Sequence, residues 1–386
     1  MENSKIISFI KSLFGNDSFI PLHVPFFGGN EKKYLLECID STYVSSVGPF
    51  VNQFESEISN YTGARHGVAI VNGTSALHTA LLACGVEAGD EVLTQSLTFV
   101  ATANAITYCN AQPVFIDVDK DTMGLSPNAL EAFLKEYAIM RNGRCYNKTT
   151  DKIIRACLPM HTFGFPCRIV EICEICEKFG IKVIEDAAEA LGSELNGQKI
   201  GTFGDVGVFS FNGNKVITAG GGGAIVTNNE QIAKESKHLT TTGKVNHPFE
   251  FHHDQVAFNY RMPNINAALL CAQLEQLEHF LSNKRKLAEQ YKVFFNQLDN
   301  KDELKLRWEK EGTKANFWLI SLEIKNKKAR DHFLKETNEN EIMTRPIWQL
   351  MHKLPMFKDC LKDKQENALY LEERIVNIPS SYRKNG

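Results

Sequence analysis

One lysine and one aspartate of this chain have surroundings that suit covalent chemistry with an aldehyde. Lys215 follows the apolar run 206–211 and precedes the glycine run Gly220–Gly223. Partial desolvation beside an apolar strand favours the neutral amine of a lysine, which is its nucleophilic form. Asp186 ends a second apolar run, 183–185. An amine that binds an aldehyde and a carboxylate that keeps a ring nitrogen protonated are the two groups that pyridoxal 5′-phosphate requires.

A turn of small residues supplies a candidate site for the phosphate of that cofactor. Gly73, Thr74 and Ser75 follow the apolar run 68–71 and open a predicted helix. A helix N-terminus presents free N–H groups and the positive end of the helix dipole, and both favour a phosphate. Ser210, five residues before Lys215, is a candidate hydroxyl donor to the same group. Because Ser and Thr are common at helix starts without any ligand, the turn alone does not decide the function.

Two more residues close to these motifs each have two interpretations. Phe99 opens the helix after the second predicted strand, where its ring would either stack on a pyridine ring or pack in the core. Glu189 follows Asp186 by three residues and would face either the cofactor or the solvent from the first turn of a helix. The residues alone leave both alternatives open.

Common nucleotide and metal motifs do not match the chain. In a P-loop the glycines precede the lysine and Ser or Thr follows it, whereas here Val216 follows Lys215 and the glycines come later. A G-x-G-x-x-G dinucleotide fingerprint does not link the first strand to its helix. Cys173 and Cys176 form a single C-x-x-C within a helical pattern, which favours a buried helix face over a metal or redox site.

The composition is that of an ordinary soluble globular protein. With 386 residues, 43% hydrophobic residues and 23% charged residues, the chain is long enough for about two domains. A net charge of −3 provides no general attraction for nucleic acid or anionic lipid. The ten cysteines are too scattered to suggest a disulfide scaffold, and no apolar stretch reaches the length of a membrane span. We expect a cytoplasmic protein.

Up to about residue 230 short apolar runs alternate with helical patterns, which predicts an α/β fold with a mostly parallel sheet between helices. The predicted strands are 68–71, 91–94, 114–117, 153–158, 181–184, 206–211 and 224–227. The predicted helices between them include 75–83, 99–108 and 126–137. Ser126 is expected to cap the last of these, with Pro127 at its first position.

The pattern changes toward the C-terminus to that of a smaller α/β domain. One long helix is predicted from Asn264 toward Phe295, followed by a strand at 317–324, a helix at 329–336 and an extended segment at 342–348. We therefore predict an N-terminal extension at 1–20, a large domain at 21–255 and a small domain at 256–386. Residues 6–14 of the extension are predicted to form a short amphipathic helix with a surface or subunit-packing role rather than membrane contact.

Several of these motifs, in this order, resemble the DegT/DnrJ/EryC1/StrS sugar aminotransferase family. The resemblance extends from Pro25 to Ser381, and its most specific segments are 72–77, 98–105, 185–192, 209–227 and 259–262. It implies fold type I of the pyridoxal-phosphate transferases, that of aspartate aminotransferase. In that fold a large domain has a mixed, mostly parallel sheet between helices, and a smaller α/β domain follows at the C-terminus.

The resemblance also implies roles for individual residues. Lys215 corresponds to the lysine that bonds to the cofactor, and Asp186 to the partner of the ring nitrogen. Phe99 corresponds to the ring-stacking position and Glu189 to a position near the 3-hydroxyl. The residues implied to bind the phosphate end are Gly73, Thr74, Ser75, Ser210 and Asn259. Asn259 would reach the phosphate from the neighbouring subunit, which implies a homodimer with shared active sites.

Four segments, 45–50, 160–164, 211–215 and 344–348, resemble one branch of the family most closely. Its members act on nucleotide-linked 4-keto-6-deoxy-N-acetylglucosamine in legionaminic acid and bacillosamine synthesis. His161, Asn214 and Arg345 lie in these segments and are predicted to contact substrate, Arg345 being either a ligand for the donor carboxylate or part of a structural salt bridge. We expect ping-pong transfer of the amino group of L-glutamate to C4 of a UDP- or GDP-linked keto sugar.

Other functions remain open at this point. Related sugar dehydratases carry histidine at the position of Lys215, so the lysine favours transamination over dehydration. A decarboxylase of the same fold type or an aminotransferase for another keto sugar nucleotide would keep both Lys215 and Asp186. A regulatory protein that binds the cofactor without catalysis is disfavoured because both residues are intact. A nucleotide hydrolase is disfavoured because the chain has no P-loop.

Overall fold

The computed structural model of the chain describes residues 3–15, 19–298 and 303–384. Its helices are α1 (Asn3–Phe14), α2 (Glu31–Asp40), α3 (Pro49–Thr62), α4 (Gly73–Ala83), α5 (Val100–Tyr108), α6 (Pro127–Tyr137), α7 (Ile169–Lys178), α8 (Glu230–Thr240), α9 (Asn264–Leu274), α10 (Leu277–Gln297), α11 (Lys327–Glu339) and α12 (Glu366–Glu372). Its strands are β1 (His66–Ile70), β2 (Glu91–Gln95), β3 (Gln112–Ile116), β4 (Ala138–Arg141), β5 (Arg144–Asn147), β6 (Ile154–Leu158), β7 (Lys182–Asp186), β8 (Glu194–Leu195), β9 (Gln198–Lys199), β10 (Val206–Ser210), β11 (Gly223–Thr227), β12 (Lys244–Val245), β13 (His252–His253), β14 (Leu304–Leu306), β15 (Thr313–Lys314), β16 (Ile320–Ile324), β17 (Arg345–Pro346) and β18 (Ile375–Ile378).

The largest sheet has seven strands in the order β1-β11-β10-β7-β6-β2-β3. Strands β10, β7, β6, β2 and β3 pair in parallel, while β11 runs antiparallel to both of its neighbours. The predicted α/β class with a mixed, mostly parallel sheet is therefore confirmed. The seven predicted strands are these seven, with ends that differ by at most two residues.

Helices cover both faces of this sheet because successive strand residues point to opposite sides. On one face Val68 and Ile70 of β1 pack with the apolar side chains of α4, α5 and α8. On the other face Ala69 of the same strand packs with those of α3, α7 and α9. Near-continuous apolar strands are required by this two-sided burial, which is why the sequence pattern predicts the sheet well.

A second, antiparallel sheet of four strands in the order β14-β16-β18-β17 forms the C-terminal part of the chain. Its core includes α10, α11 and the N-terminal helix α1, whose Ile6 and Ile10 are fully buried. Phe9 stacks on Phe294 of α10 at a ring-centroid distance of 4.0 Å. The predicted amphipathic helix at 6–14 is thus confirmed, and its apolar face packs within this chain. The predicted domain boundaries after residues 20 and 255 stay a prediction.

Two predicted elements differ from the structure. The single helix predicted from Asn264 toward Phe295 is in fact two helices, α9 and α10, which separate at Glu275 and Gln276. The Gln276 amide donates to the buried carboxylate of Glu31 at 2.8 Å, and its side chain lies directly against the backbone of Gly29. The strand predicted from Phe317 starts only at Ile320, because Phe317 has a left-handed φ of 50° that a strand does not accommodate.

The C-x-x-C pair lies on α7 as predicted. Cys176 is fully buried in the core of the large sheet, and the Sγ of Cys173 points to the carbonyl of Phe203 at 3.7 Å. Both belong to a helix face that packs on the sheet. Within the described ranges no helix has the length and apolarity needed to cross a membrane.

We predict that the N-terminal helix contributes measurably to the stability of the C-terminal core. Ile10→Ala should lower the free energy of unfolding by about 2–5 kcal/mol, since it removes a fully buried side chain and leaves a cavity. Urea denaturation followed by circular dichroism measures this loss. Ser8→Ala, at an exposed position of the same helix, is the control. Equal stability of the Ile10→Ala variant and the wild type would show that α1 is dispensable for the core.

Candidate active site

A cavity of about 340 Å³ lies at the carboxyl ends of the parallel strands, between the large sheet and residues of the C-terminal part. Ligands of open α/β sheets bind at this edge, where the strand ends and the following turns expose side chains and backbone N–H groups. The residues that line it are Asn72, Gly73, Thr74, Leu77, Phe99, Ala101, Thr102, Met160, Asp186, Ala188, Glu189, Ser210, Asn212, Asn214, Lys215, Trp318 and Trp348.

Asp186 is the last residue of β7 and is almost fully buried at the base of the cavity. The hydroxyl of Thr102 on α5 donates to its Oδ2 at 2.7 Å, and the N–H of Ala188 donates to its Oδ1 at 3.2 Å. Burial raises the pKa of Asp186, while the two hydrogen bonds and the charge of Lys215 act in the opposite direction. The carboxylate is therefore held in one orientation, facing the cavity.

Lys215 extends into the cavity from the turn that follows β10. Its Nζ lies 3.3 Å from Oε1 of Glu189 and 4.0 Å from the ring centre of Trp318. The side chain of Lys215 is only 14% exposed, so both contacts are made with little water present. A carboxylate and an aromatic face on either side of an ammonium group restrict the positions that its nitrogen can take.

Glu189 is buried beside Lys215, and its second oxygen is also engaged. The backbone N–H of Phe163 donates to Oε2 at 2.9 Å, which is possible because Phe163 adopts a left-handed φ of 56°. Burial raises the pKa of Glu189 to about 7, although the charge of Lys215 opposes this shift. Of the two interpretations of Glu189, the structure supports the one that faces the site.

The turn that the sequence analysis predicts to bind a phosphate lies where α4 begins beside the end of β10. The Oδ1 of Asn72 caps α4 by accepting from the N–H of Ser75 at 2.8 Å. A Cβ on Gly73 would lie 2.7 Å from the Cβ of Ser210, so glycine allows the helix start to approach this strand end. Gly73, Thr74 and Ser210 line the cavity, whereas Ser75 does not.

The glycine run after Lys215 has a related role. A Cβ on Gly223 would lie 2.5 Å from the carbonyl carbon of Asn72, so this glycine lets β11 pass directly beside the start of α4. Gly220 has a φ of 75°, in the left-handed region that glycine adopts without strain. The glycines therefore shape the turn that carries Lys215 and do not themselves line the cavity.

Aromatic side chains form the mouth of the cavity. Phe99 precedes α5 and is 49% exposed, so it is not a core residue. Its ring lies 6.3 Å from that of Trp348, which in turn packs on Phe163 at 4.8 Å. An exposed ring over the cavity is available to stack on a planar ligand.

The structure assigns different surroundings to the three predicted substrate contacts. Asn214 lines the cavity, and its carbonyl accepts from the indole N–H of Trp318 at 2.6 Å. His161 does not line it, because the ring is fully buried between the Cys167 N–H and Glu185, at 3.2 and 3.1 Å. His161 therefore lies outside the cavity, where two hydrogen bonds hold its ring.

Arg345 and Asn259 also lie outside the cavity of this chain. Arg345 is exposed at the start of β17, where its guanidinium donates to Oδ1 of Asn338 at 3.2 Å, so it is neither a cavity residue nor in a salt bridge among the described residues. Asn259 is exposed on the segment that precedes α9 and bridges to Thr241 through the backbone.

Sequence reasoning missed three residues that shape the site. Thr102 follows Thr98 by four residues, and their hydroxyls lie 2.7 Å apart. This spacing could have indicated that the two threonines lie on the same side of the chain. Trp318 and Trp348 are two of only three tryptophans, but nothing in their local sequence connects them with residues 100 or more positions away. Contacts of this kind depend on tertiary structure.

The residues present fit pyridoxal phosphate. The cavity combines a primary amine, a buried carboxylate with two hydrogen bonds that orient it, and a helix start bordered by Thr74 and Ser210. These are the groups needed for the aldehyde, the ring nitrogen and the phosphate respectively. The exposed face of Phe99 adds a surface for the ring.

The raised pKa of Glu189 makes a prediction about pH. The folded protein without cofactor binds a proton at Glu189 up to about pH 7, whereas the unfolded chain releases it near the ordinary value of 4.5. The wild type should therefore lose stability relative to Glu189→Gln as the pH rises from about 4.5 to above 7. Thermal denaturation of the cofactor-free proteins between pH 5 and 8.5 measures this difference.

The exposed Glu174 of α7 offers a matched control. The stability difference between Glu174→Gln and the wild type should not vary across the same pH range. If the Glu189→Gln difference were equally constant, the carboxyl of Glu189 would not titrate in this range. The rise in its pKa that we attribute to burial would then be contradicted.

Comparison with known proteins identifies the family of the chain. The model of the DegT/DnrJ/EryC1/StrS aminotransferase family matches residues 26–384. The GDP-perosamine synthase of Escherichia coli O157:H7 is 36% identical over 362 residues, covering 94% of this chain and 93% of that protein. The GDP-perosamine synthase of Vibrio cholerae is 37% identical over 365 residues, covering 94% of each.

Solved structures share the fold over nearly the whole chain. A DegT DnrJ EryC1 StrS aminotransferase from Brucella abortus has 26% identity and a TM-score of 0.81, covering 91% of this chain and 90% of that one. The aminotransferase TlmJ from Streptoalloteichus hindustanus has 24% identity and a TM-score of 0.84, covering 94% of each, and supports the fold alone. The chain therefore belongs to the DegT/DnrJ/EryC1/StrS aminotransferase family and is a pyridoxal-phosphate-dependent nucleotide-sugar aminotransferase.

Proposed function

We propose that this protein transfers the amino group of L-glutamate to C4 of a nucleotide-linked 4-keto-6-deoxyhexose, with Lys215 and Asp186 as its catalytic residues. The observation that carries the proposal is the presence of Nζ of Lys215 and the buried carboxylate of Asp186 in one cavity, together with a helix start suited to a phosphate. No other pair of residues in the cavity offers a primary amine and an aspartate, since it is lined by one lysine and one aspartate.

Each residue has a distinct task in the proposed reaction. When bound, pyridoxal phosphate supplies an electron sink for the charge that develops at Cα of the amino donor. Lys215 carries the proton from Cα, and the neighbouring carboxyl of Glu189, 3.3 Å from Nζ, keeps the amine directed into the cavity. Asp186 holds a proton on the ring nitrogen, and the hydrogen bond from Thr102 keeps the carboxylate in place. Trp318 covers the other side of Nζ and excludes water.

The identity of the sugar is the finer part of the proposal. Segments 45–50, 160–164, 211–215 and 344–348 support a 4-keto-6-deoxy-N-acetylhexosamine of the legionaminic acid or bacillosamine type. The relatives at 36–37% identity are named GDP-perosamine synthases, which supports a GDP-linked product. We propose the N-acetylated sugar as the first candidate and a GDP-linked sugar without that group as the second.

We also propose a homodimer in which Asn259 completes the phosphate site of the partner. Its support is that Asn259 is exposed and does not line the cavity of its own chain. On the preceding segment Phe249, Phe251 and Val256 are 84%, 83% and 92% exposed, and large apolar side chains in a group are typical of an interface.

The proposed chemistry predicts where the cofactor is attached. Borohydride reduction of the protein loaded with pyridoxal phosphate, followed by peptide mapping, should give a single labelled peptide with the label on Lys215. Lys215→Ala should lose the label, the absorption band of the attached cofactor and all transamination, because no other amine lines the cavity. Lys199, paired with Glu194 outside the cavity, provides the control variant Lys199→Ala. A label on another lysine would overturn the assignment.

The same loaded protein separates the candidate substrates. Incubation with L-glutamate and UDP- or GDP-linked 4-keto-6-deoxy-GlcNAc, or the GDP-linked keto sugar without the acetamido group, is followed by mass spectrometry and by release of 2-oxoglutarate. Amination of an N-acetylated sugar supports the first candidate, and amination of the GDP-linked sugar alone supports the second. Sugar dehydration without release of 2-oxoglutarate would indicate a dehydratase. Attached cofactor with no turnover of any sugar would favour the regulatory interpretation.

The shared site is tested by mixing two defective proteins. Lys215→Ala and Asn259→Ala should each have low activity alone, and a mixture that exchanges subunits should regain activity, because mixed dimers contain one site with both residues intact. Co-purification of one untagged variant with the other, affinity-tagged variant establishes that exchange has occurred. Exchange without any recovery would show that Asn259 acts within its own chain or not at all.

A further inference from the structure

Helix α10 carries a lysine in an unusual environment. Lys284 is 2% exposed, although lysine is among the residue types least often fully buried. Among the described residues no carboxylate lies within ion-pair distance of its Nζ, and burial is the only cause of its lowered pKa, which is about 7. A buried amine without a carboxylate partner needs another set of acceptors.

Those acceptors are three backbone carbonyls. Nζ of Lys284 donates to Ser380 at 2.6 Å, to Trp318 at 3.2 Å and more weakly to Phe317 at 3.5 Å. An ammonium group has three N–H donors and no acceptor, so this set uses its full capacity. The contact thus joins α10 to the residues after β18 and to the turn that precedes β16.

The turn at Phe317 and Trp318 has a conformation that its own sequence does not favour. Phe317 has a φ of 50°, in the left-handed region that non-glycine residues seldom adopt, so the surrounding contacts must maintain it. Besides Lys284, these contacts include Asn316, whose Oδ1 accepts from the N–H of Trp318 at 2.8 Å, and Trp308, whose ring centre lies 4.8 Å from that of Phe317. The Nδ2 of Asn316 donates to the carbonyl of Glu189 at 2.8 Å, which ties the turn to the site.

The turn determines where the indole of Trp318 lies. Its ring centre is 4.0 Å from Nζ of Lys215, and its N–H donates to the carbonyl of Asn214 at 2.6 Å. The ring is therefore held at two ends, by Asn214 at the indole nitrogen and by Lys284 at the backbone. A shift of the turn would move the surface that covers Lys215.

We infer that Lys284 is a positioning residue of the active site, which holds the carbonyls of Phe317 and Trp318 and thereby fixes the indole over Lys215. This inference rests on the proposed function in that Lys215 is taken as the reacting lysine. It also explains why a charged side chain is placed in an apolar core: a hydrocarbon side chain of equal length would leave three buried carbonyls without donors.

The test compares Lys284→Met with Lys286→Met, which replaces an exposed lysine two residues further along the same helix. In the cofactor-free proteins, the rate at which acetic anhydride modifies Lys215 is followed by peptide mass spectrometry. Loss of the indole cover should make this modification several-fold faster in Lys284→Met and leave it unchanged in Lys286→Met. This measurement does not depend on the cofactor or on the identity of the sugar.

The loaded enzymes supply a second measurement. We expect kcat of Lys284→Met to fall about 10- to 100-fold with little change in KM for the amino donor, since misplacement of groups around the reacting atom costs rate rather than binding.

The pH midpoint of the cofactor absorption band should also move. Besides Lys284, the groups that face Lys215 here are Glu189, Asp186 and His23, whose pKa is lowered by burial and then by the charge of Lys284. All three are retained in both variants.

A purely structural role makes a different prediction. Lys284→Met would then melt at a lower temperature but keep the wild-type kcat, band midpoint and Lys215 modification rate, and the inference would be overturned.

If Lys284→Met does not fold, Trp318→Leu with Lys284 intact tests whether the indole covers Lys215. It should speed the modification of Lys215 and lower kcat, and wild-type values for both would overturn the inference. Failure of the proposed function would appear separately, as cofactor attached to a lysine other than Lys215.

Discussion

The site depends on a carboxylate buried at the end of β7, which must be surrounded by hydrogen-bond donors. Asp186 is 2% exposed, and an unpaired buried charge is strongly destabilising. The hydroxyl of Thr102 and the N–H of Ala188 meet this need and thereby bring α5 and the turn after β7 to the same place. The preceding residue, Glu185, faces the opposite side of the sheet and accepts from the N–H groups of Gly201, Phe203 and Gly204. Two adjacent acidic residues therefore accept hydrogen bonds from segments on the two opposite faces of the sheet at the end of β7.

The amine of Lys215 is positioned by parts of the chain that are far apart in sequence. Glu189 contacts Lys215 from the large sheet, and Trp318 covers it from the C-terminal part. The turn that carries Trp318 is in turn bonded to α10 through Lys284 and to Glu189 through Asn316. The segments next to β16 and β17 therefore contribute to the cavity, and α1 belongs to the core of the same C-terminal part.

Much of the fold was predictable because it follows from local rules. Apolar runs buried on both faces identify the seven strands, and Ser126 with Pro127 defines the start of α6, which ends at Tyr137 as predicted. The errors occurred where a distant residue overrides local preference. The break between α9 and α10 is accompanied by the contact of Gln276 with Glu31, and the late start of β16 by the left-handed Phe317. Neither has a signal in the adjacent sequence.

The sequence by itself determined the candidate groups for the chemistry: Asp186 at the end of a strand, Lys215 in the turn after another strand, and the small-residue turn 72–77. These assignments follow from residue type and from position relative to a strand, which are local properties. Only the tertiary structure decided that His161 is buried against Glu185 outside the cavity, that Arg345 also lies outside it, and that Trp318 and Trp348 line it. The reason is physical: a side chain's burial and partners are set by packing between elements that the chain brings together only when it folds.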